Sequence, residues 1–169
     1  MKNATIYCLC IHNKVRPIVD KLGYVAVGLG NDKFSNEWLR DNTHENISFK
    51  NKYYSEYSFH YWFWKNMLPK VKDNHWIGFC AYRDYWSNKK EITEDSNFVI
   101  NKEGVPNVII SDKNKLEDVV LKEIPREWEK FDTIVGEHMY INNLKLTKLI
   151  KRGLWSLIRN PSALFKSKR

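Results

Sequence analysis

Three short and almost unbroken apolar runs, at residues 4–11, 24–29 and 76–81, constrain the fold of this chain most strongly. Each run has the length of a strand and is rich in strand-forming residues, and none alternates with polar residues. Strands that are buried on both faces show this pattern, and they are typical of a mostly parallel sheet covered by helices. A fourth strand is predicted at residues 105–110, with Pro106 near its start.

Helical segments are predicted between these runs. Aromatic and aliphatic residues recur at three- and four-residue spacing over residues 53–68, namely Tyr54, Tyr57, Tyr61, Trp64 and Leu68. Short helices are predicted at 116–123 and 126–130, and a short strand at 133–135. Strands that alternate with helices predict an α/β fold with a mixed, mostly parallel sheet flanked by helices.

The ends and the buried face of the 53–68 helix can also be predicted. Ser48 or Asn51 is the candidate cap, and Pro69 ends the helix. The stripe predicts that Tyr57, Tyr61 and Trp64 face the core, with one ring stacking on a nucleobase as the open alternative.

The sequence also indicates a cellular environment. It has no apolar run long enough to span a membrane and no signal-peptide pattern after Met1, so we expect a cytoplasmic protein. Cys8, Cys10 and Cys80 have no metal-ligand spacing and are expected to be buried, reduced thiols. The five histidines share no such spacing either, so no metal ligand is assigned.

Positive charge is concentrated at the C-terminal end. Residues 138–169 contain eight Lys or Arg and no Asp or Glu, which leaves 20 basic and 20 acidic residues in 1–137. Within this tail, residues 144–158 have an apolar face at helical spacing. Such a basic amphipathic helix can lie on an anionic membrane, or it can pack on further protein. A nucleic-acid-binding module is the alternative that charge suggests, but the basic residues segregate from the aromatic ones, so no nucleic acid is expected.

Polar residues follow two of the predicted strands. His12 and Lys14 come after the first strand, and Tyr82, Arg83 and Asp84 come after the third. Ligands of open α/β sheets bind outside the carboxyl ends of the strands. The planar fork of an arginine suits a diphosphate, so a nucleoside diphosphate fits this combination.

The segment from Asp41 to Trp86 carries a specific resemblance. It resembles a glycosyltransferase-like family of unknown function found in bacterial capsular and exopolysaccharide loci and grouped with the GT-A nucleotide-sugar fold. The matching residues form a polar turn, an aromatic block and the end of a strand: Asp41, Thr43, Asn46, Ile47, Ser48, Lys50, Asn51, Tyr54, Glu56, Tyr61, Trp62, Trp64, Lys65, Asn66, Gly78, Tyr82, Arg83 and Tyr85. Ala81 stands where the family often has His, and Asp84 where it often has a second Arg, so a role for that His does not carry over.

The resemblance implies an organisation and a function. Residues 1–140 would form a glycosyltransferase-like nucleotide-sugar-binding domain with a GT-A-like sheet, and residues 141–169 a basic amphipathic tail helix. Because family members extend further, we expect the acceptor side to be missing and the fold to be incomplete. The expected activity is sugar transfer from a nucleotide sugar to a glycan or lipid-linked acceptor, at the cytoplasmic side of the membrane. A basic nucleic-acid-binding module and an inactive remnant are the alternatives.

The candidate site residues follow from these two lines of reasoning. Arg83 is expected to stabilise the departing diphosphate, with Glu56 and Asp84 as the other candidate catalytic residues. The candidate nucleotide-sugar-binding residues are His12, Lys14, Asp41, Asn42, Asn46, Lys65 and Tyr82. Many GT-A enzymes hold a divalent metal through an Asp-x-Asp motif. No such motif follows a predicted strand here, and a role for manganese or magnesium stays open.

Structural alternatives exist for the same residues. Arg83 can pair with Asp84 or Glu56 as an ion pair, and Glu56 can be exposed or paired. The polar turn of Asp41, Asn42 and Asn46 can be ordinary loop and helix capping.

Overall fold

The computed structural model describes residues 4–30, 32–87, 98–100, 106–108 and 120–136, together with Ile150, Leu154, Trp155 and Ile158. The chain divides into two compact units. The first consists of Met1–Lys90 and Asp112–Ile134, and the second of Glu91–Ser111 and Val135–Arg169. The first unit contains all the residues of the candidate site.

A parallel sheet organises the first unit. Its strands are β1 (Ala4–Cys10), β2 (Val25–Gly28), β3 (Leu39–Arg40) and β4 (Trp76–Ala81), in the order β3-β2-β1-β4. All three pairings are parallel, with Cys8 opposite Ala26 on one side and opposite Cys80 on the other. This sheet with its helices is an α/β, Rossmann-like fold, which confirms the predicted fold class and three of the predicted strands.

Helices connect the strands. They are α1 (Arg16–Lys21), α2 (Asn51–Tyr54) and α3 (Tyr57–Asn66), with 3-10 turns at Asn13–Val15, Ser48–Lys50, Leu68–Lys70 and Arg126–Trp128. The predicted continuous helix over 53–68 is wrong, because Ser55 has φ 50 and ψ −129 and separates α2 from α3. The predicted cap is also wrong, since neither α2 nor α3 has a side-chain cap hydrogen bond.

The sheet is buried on both faces, as its apolar strands require. Alternate residues of β1 enter two separate clusters. One contains Ile6, Cys8, Cys10, Val19, Leu22, Tyr24, Ala26, Trp38, Cys80, Val120, Leu121 and Ile124. The other contains Tyr7, Leu9, Val27, Leu29, Phe59, Trp62 and Phe63. All three cysteines are buried and free, as expected.

The buried face of α3 differs from the prediction. Ser58, Phe59, Trp62 and Phe63 are the buried residues, whereas Tyr57 and Trp64 are exposed and Tyr61 is half-buried. Six of the ten residues of α3 are Phe, Tyr or Trp, so more than one helical face is aromatic and could be the buried one. The phenols of Tyr57 and Tyr61 can remain in water at no desolvation cost, while Phe59 and Phe63 cannot.

Several predictions for the C-terminal half are wrong or lie outside the described residues. Pro106–Val108 does form a strand, β6, but it pairs antiparallel with β5 (Phe98–Ile100) in a separate two-stranded sheet. Residues 120–123 are not helical, and 116–119 lie outside the described residues. The segment 126–130 forms only a 3-10 turn, and 133–135 is not a strand.

The tail can be compared with its prediction at four positions. Ile150, Leu154, Trp155 and Ile158 are helical and exposed, and the rest of 137–169 lies outside the described residues. Across the described ranges, no helix combines the length and the apolarity that crossing a bilayer requires.

Candidate functional site

The strand order creates a switch point between β1 and β4. The chain runs outward from β1 through β2 to β3 and then returns to place β4 on the other side of β1. Open α/β sheets bind ligands in the crevice outside the carboxyl ends of the strands at such a point. His12 follows β1 here, and Tyr82 and Arg83 follow β4.

These three residues, which we call the rim, lie together. The ring centroids of His12 and Tyr82 are 5.9 Å apart in an edge-to-face arrangement. The guanidinium of Arg83 lies 5.2 Å from the centroid of the Tyr82 ring. The backbone N–H of Tyr82 donates to the carbonyl of Leu9 at 3.1 Å, which continues the pairing of β1 with β4 past the strand end. An exposed cation is thereby held over an aromatic ring at the switch point.

Arg83 has no carboxylate partner in the part of the chain that the structure describes. The alternatives in which it pairs with Asp84 or Glu56 are therefore wrong. Asp84 is exposed and its backbone N–H donates to Ala81, which closes the turn after β4. The guanidinium donors of Arg83 thus remain available to a ligand.

The loop after β1 is tied to the loop after β2. The backbone N–H of Asn13 donates to Asp32 at 3.0 Å, and the Asn13 side chain donates to the carbonyl of Lys33 at 3.0 Å. Backbone hydrogen bonds from Asn13 and then Lys33 lower the pKa of Asp32, with smaller contributions from the charges of His12 and Lys14. Lys14 itself is exposed beside this connection.

A cavity of about 620 Å³ lies at the carboxyl ends of β2 and β3. Its lining residues are Asp32, Lys33, Phe34, Ser35, Asn36, Trp38, Leu39, Arg40, Asn42 and Thr43. The volume is in the range of small-molecule and cofactor sites. Phe34 and Trp38 form its aromatic wall, with ring centroids 4.8 Å apart at an interplanar angle of 61°.

Arg40 supplies a positive charge to this cavity, in addition to that of Lys33. Its guanidinium lies 4.6 Å from the centroid of Phe34, and its Nη2 donates to the carbonyl of Gly30 at 2.8 Å. Among the described residues, the buried Nε of Arg40 has no hydrogen-bond acceptor. An unsatisfied buried donor is costly, so an acceptor on a ligand in this cavity would be bound favourably.

Asp41 is buried rather than directed at a ligand. It is 1% exposed, and its Oδ2 accepts a 2.6 Å hydrogen bond from Ser58 Oγ. Asn51 in turn donates to Ser58 Oγ and to the carbonyl of Ser55, both at 2.9 Å. Asp41 therefore fixes the start of α2 and α3 against the end of β3.

Asn42 and Asn46 differ in their surroundings. Asn42 is exposed and lines the cavity. The amide of Asn46 donates to the carbonyl of His44 at 2.9 Å and accepts from Ser48 Oγ at 2.9 Å. Asn46 therefore organises the turn, while Asn42 has access to a ligand.

Lys65 and Glu56 lie away from the rim in their described contacts. Lys65, near the end of α3, pairs with Glu45 at 3.4 Å and lies 4.3 Å from the Trp64 ring centroid. Glu56 immediately precedes α3, and its charge partly offsets the burial that lowers the pKa of His60. The structure brings His12, Tyr82 and Arg83 together and does not bring these two residues to them.

Three residues that the sequence reasoning missed belong to this edge of the sheet. Asp32 follows the turn after the second apolar run, and Arg40 directly precedes the polar turn, so the sequence could have indicated both. Ser58 lies between aromatic residues, and nothing in the sequence indicates its contact with Asp41. Among the described residues, no group of three or more His, Cys, Asp or Glu side chains is arranged to hold a metal ion.

A second cavity, of about 460 Å³, lies at the opposite end of the sheet. It is bounded by Ala4 and Ile6 of β1, by Trp76 to Gly78 of β4, and by apolar residues such as Trp128. Because it adjoins the amino ends of the strands, it is not the position at which parallel sheets bind ligands.

The chain was compared with known proteins in three ways. No curated protein and no solved structure shows a significant match. A family model, described as Domain of unknown function (DUF4422), matches residues 5–152 and therefore most of the chain, including both the rim and the cavity. The chain belongs to this DUF4422 family.

Proposed function

We propose that this chain is a glycosyltransferase, or the nucleotide-sugar-binding part of one, that acts in capsular, exopolysaccharide or lipopolysaccharide synthesis. The observation that carries the proposal is the exposed Arg83 guanidinium over Tyr82 at the β1–β4 switch point, without a carboxylate partner among the described residues. The parallel strands of the sheet are consistent with a GT-A-like fold. The sequence resemblance supports sugar transfer as the reaction class.

The cavity beside Phe34, Trp38 and Arg40 suits the nucleoside portion of the donor. Aromatic rings can stack on a base, and Asn42 and the free donor of Arg40 can recognise polar groups. The connection of Asn13 to Asp32 joins this cavity to the loop that carries His12 and Lys14. Donor base and diphosphate would then be bound along one edge of the sheet.

The transfer step requires stabilisation of the leaving diphosphate and removal of a proton from the acceptor hydroxyl. The bond between the sugar and the diphosphate breaks, and the leaving diphosphate keeps the electron pair, which Arg83 stabilises with charge-assisted hydrogen bonds. The acceptor hydroxyl forms the new bond and gives its proton to a carboxylate, for which the exposed Asp84 beside Arg83 is the candidate. Asp84 is a single carboxylate, so a divalent metal would need further ligands from the nucleotide or water.

Calorimetric titration of the chain with UDP, GDP and CMP, with and without manganese, tests the proposal. One nucleotide should bind selectively, and Arg83→Ala should weaken it at least about tenfold, since a hydrogen bond to a charged group is worth about 1.5–3 kcal/mol. Lys130→Ala, another exposed cation beside a ring, should leave binding unchanged. No nucleotide binding by the folded chain, or equal affinity of the Arg83→Ala variant, would reject the proposed function.

We also propose a peripheral contact of residues 144–169 with the anionic inner face of the cytoplasmic membrane. Ile150, Leu154, Trp155 and Ile158 present exposed apolar side chains, and eight basic residues accompany them between 138 and 169. Apolar insertion and attraction to anionic lipid act together in such segments. Co-sedimentation with anionic vesicles should fall on Trp155→Ser and at high salt; sedimentation unaffected by both would remove this contact.

A further inference from the structure

Four large aromatic side chains are exposed in the short segment around α2. Phe49 is 72% exposed, Tyr53 67%, Tyr54 50% and Tyr57 70%, and we call these residues the aromatic platform. They stand outside both apolar clusters, which use the other residues of this region. Such a concentration of exposed aromatic side chains in one short segment makes it a candidate interaction site.

The aromatic platform is held at the same edge of the sheet as the rim. Ser58, next to Tyr57, donates a hydrogen bond to Asp41 at the end of β3. Asn51, between Phe49 and Tyr53, lies against Gly30 after β2, since a Cβ on Gly30 would be 3.2 Å from Asn51 Oδ1. Both anchors are at carboxyl ends of strands, where the proposed donor site also lies.

Two of the four rings of the aromatic platform lie beside lysines. Lys50 Nζ lies 5.5 Å from the centroid of Phe49, and Lys52 Nζ lies 4.7 Å from the centroid of Tyr53. Glu56, next to Tyr57, is the one acidic residue between residues 46 and 57, so the positive charge lies at the Phe49 and Tyr53 end of the segment. The segment therefore offers exposed rings and positive charges side by side.

This combination is complementary to an acidic saccharide. The C–H face of a sugar ring is apolar and can pack on a phenol or phenyl ring, while the phenol hydroxyl remains free to hydrogen-bond. A carboxylate on the sugar would meet Lys50 or Lys52 with favourable charge. Neutral sugars would gain the stacking contact without the charge contact.

A membrane fits the aromatic platform less well. Interfacial helices bury a continuous apolar face, whereas α2 has only four residues and contributes no aliphatic side chain. Three of the four exposed rings are tyrosines, whose hydroxyls favour polar contacts.

We infer that the aromatic platform binds an acidic glycan that carries uronate residues. Its role as the acceptor rests on the proposed transferase function, but its binding does not. A chain held on Phe49, Tyr53, Tyr54 and Tyr57 would approach the nucleotide site along the carboxyl edge of the sheet.

Binding of a hyaluronan hexasaccharide, which alternates glucuronate with a neutral sugar, tests this inference without any nucleotide present. Neutral chitohexaose is the control ligand, and it should bind more weakly because it has no carboxylate to meet the lysines. Tyr53→Ala, Tyr57→Ala and Lys52→Gln should each weaken hyaluronan binding about three- to tenfold, as expected for loss of a ring or cation contact. Lys130→Gln and Phe131→Ala alter a matched cation–ring pair elsewhere in the same unit and should have no effect.

The outcomes separate this inference from the proposed function. Hyaluronan binding lost in the platform variants, with nucleotide binding retained, supports the glycan site; equal binding in all variants overturns it. If the platform variants instead reduce binding to anionic phosphatidylglycerol vesicles and not to hyaluronan, the surface binds membrane and the inference is wrong. Failure of nucleotide binding alone would reject the transferase and leave the glycan site standing.

Discussion

The hydroxyl of Ser58 donates a 2.6 Å hydrogen bond to the buried carboxylate of Asp41, 17 residues earlier in the chain. The contact joins the first turn of α3 to the end of β3 and fixes the segment that carries the aromatic platform. Because Asn51 donates to the same hydroxyl, the three side chains act as one network.

Ser58→Ala should destabilise the protein by about 1.5–3 kcal/mol, because it leaves a buried carboxylate without its donor. The free energy of unfolding from urea titration measures the change. Ser35→Ala removes an exposed hydroxyl and is the control, with an expected change within about 0.5 kcal/mol. A similarly small effect of Ser58→Ala would mean that the network does not hold α3 in place.

Gly28→Ala should distort the wall of the larger cavity. A Cβ at this position would lie 2.6 Å from Phe34 Cγ and 2.7 Å from Phe34 Cδ1, so the ring that packs under Arg40 must move. Overpacking of this kind costs about 1–3 kcal/mol, and thermal unfolding would report it as a lower Tm. Gly136→Ala has no neighbouring atom within 4 Å and is the control. Equal Tm values for the two variants would contradict the close approach.

His60 should make stability depend on pH. Burial of its ring, which lies 4.6 Å from the centroid of Phe79, lowers the pKa of His60 below its ordinary 6.5, and the charge of Glu56 opposes the shift. The unfolded chain then binds the proton more tightly, so stability is complete at neutral pH and falls as the pH drops through 6.5 toward the folded value.

Urea titrations at neutral and mildly acidic pH would measure this loss for the native chain and for His60→Phe. The variant should lose less stability on acidification, since it has no imidazole to protonate. His44→Asn, which changes an exposed histidine with a positive φ that asparagine tolerates, is the control for removing an imidazole from the surface. A His60→Phe profile that overlays the native one would reject this role.

The cysteines should be inert in the folded protein. Cys8 and Cys10 are fully buried with their sulfurs 3.8 Å apart, and the contact with Cys8, together with burial, raises the pKa of the Cys10 thiol. Since the thiolate is the reactive species, a thiol reagent should react slowly with the native chain and at all three cysteines after unfolding. Rapid reaction at neutral pH before unfolding would show that β1 or β4 is accessible, and would contradict this prediction.

The strands were predictable from the sequence because each is a short, almost unbroken apolar run. β1, β2 and β4 are buried between two clusters, and continuous hydrophobicity is the direct sign of that environment. β3 has only two residues, and no pattern exists at that length. Helix α1 was missed although Val19 and Leu22 have helical spacing and Pro17 is favourable in a first turn.

The candidate site was only partly predictable. His12, Tyr82 and Arg83 follow apolar runs directly, so the rule for strand ends was sufficient to group them. The cavity near Arg40 depends on where β3 ends, and the Asp41–Ser58 contact depends on the crossover that α3 makes. Neither relationship is local in sequence. Periodicity did not identify the buried face of α3, because tyrosine and phenylalanine are both aromatic but differ in the cost of burial.

A single substitution should relieve the backbone strain at the break between α2 and α3. Ser55 has φ 50 and ψ −129, a conformation that side chains rarely adopt and glycine adopts readily. Its backbone carbonyl accepts from Asn51 Nδ2 at 2.9 Å, which holds the residue in this conformation. Ser55→Gly should therefore raise the free energy of unfolding by about 0.5–2 kcal/mol, as strain is relieved and part of the gain is lost to chain entropy.

Ser55→Ala provides the matched control, because it removes the hydroxyl and keeps the Cβ that is strained at positive φ. It should leave stability within about 0.5 kcal/mol of the native chain, so the difference between the two variants isolates the backbone contribution. If Ser55→Gly is no more stable than Ser55→Ala, the break costs the fold nothing. A stabilised Ser55→Gly variant would instead show that the chain tolerates strain at the point where the aromatic platform meets α3.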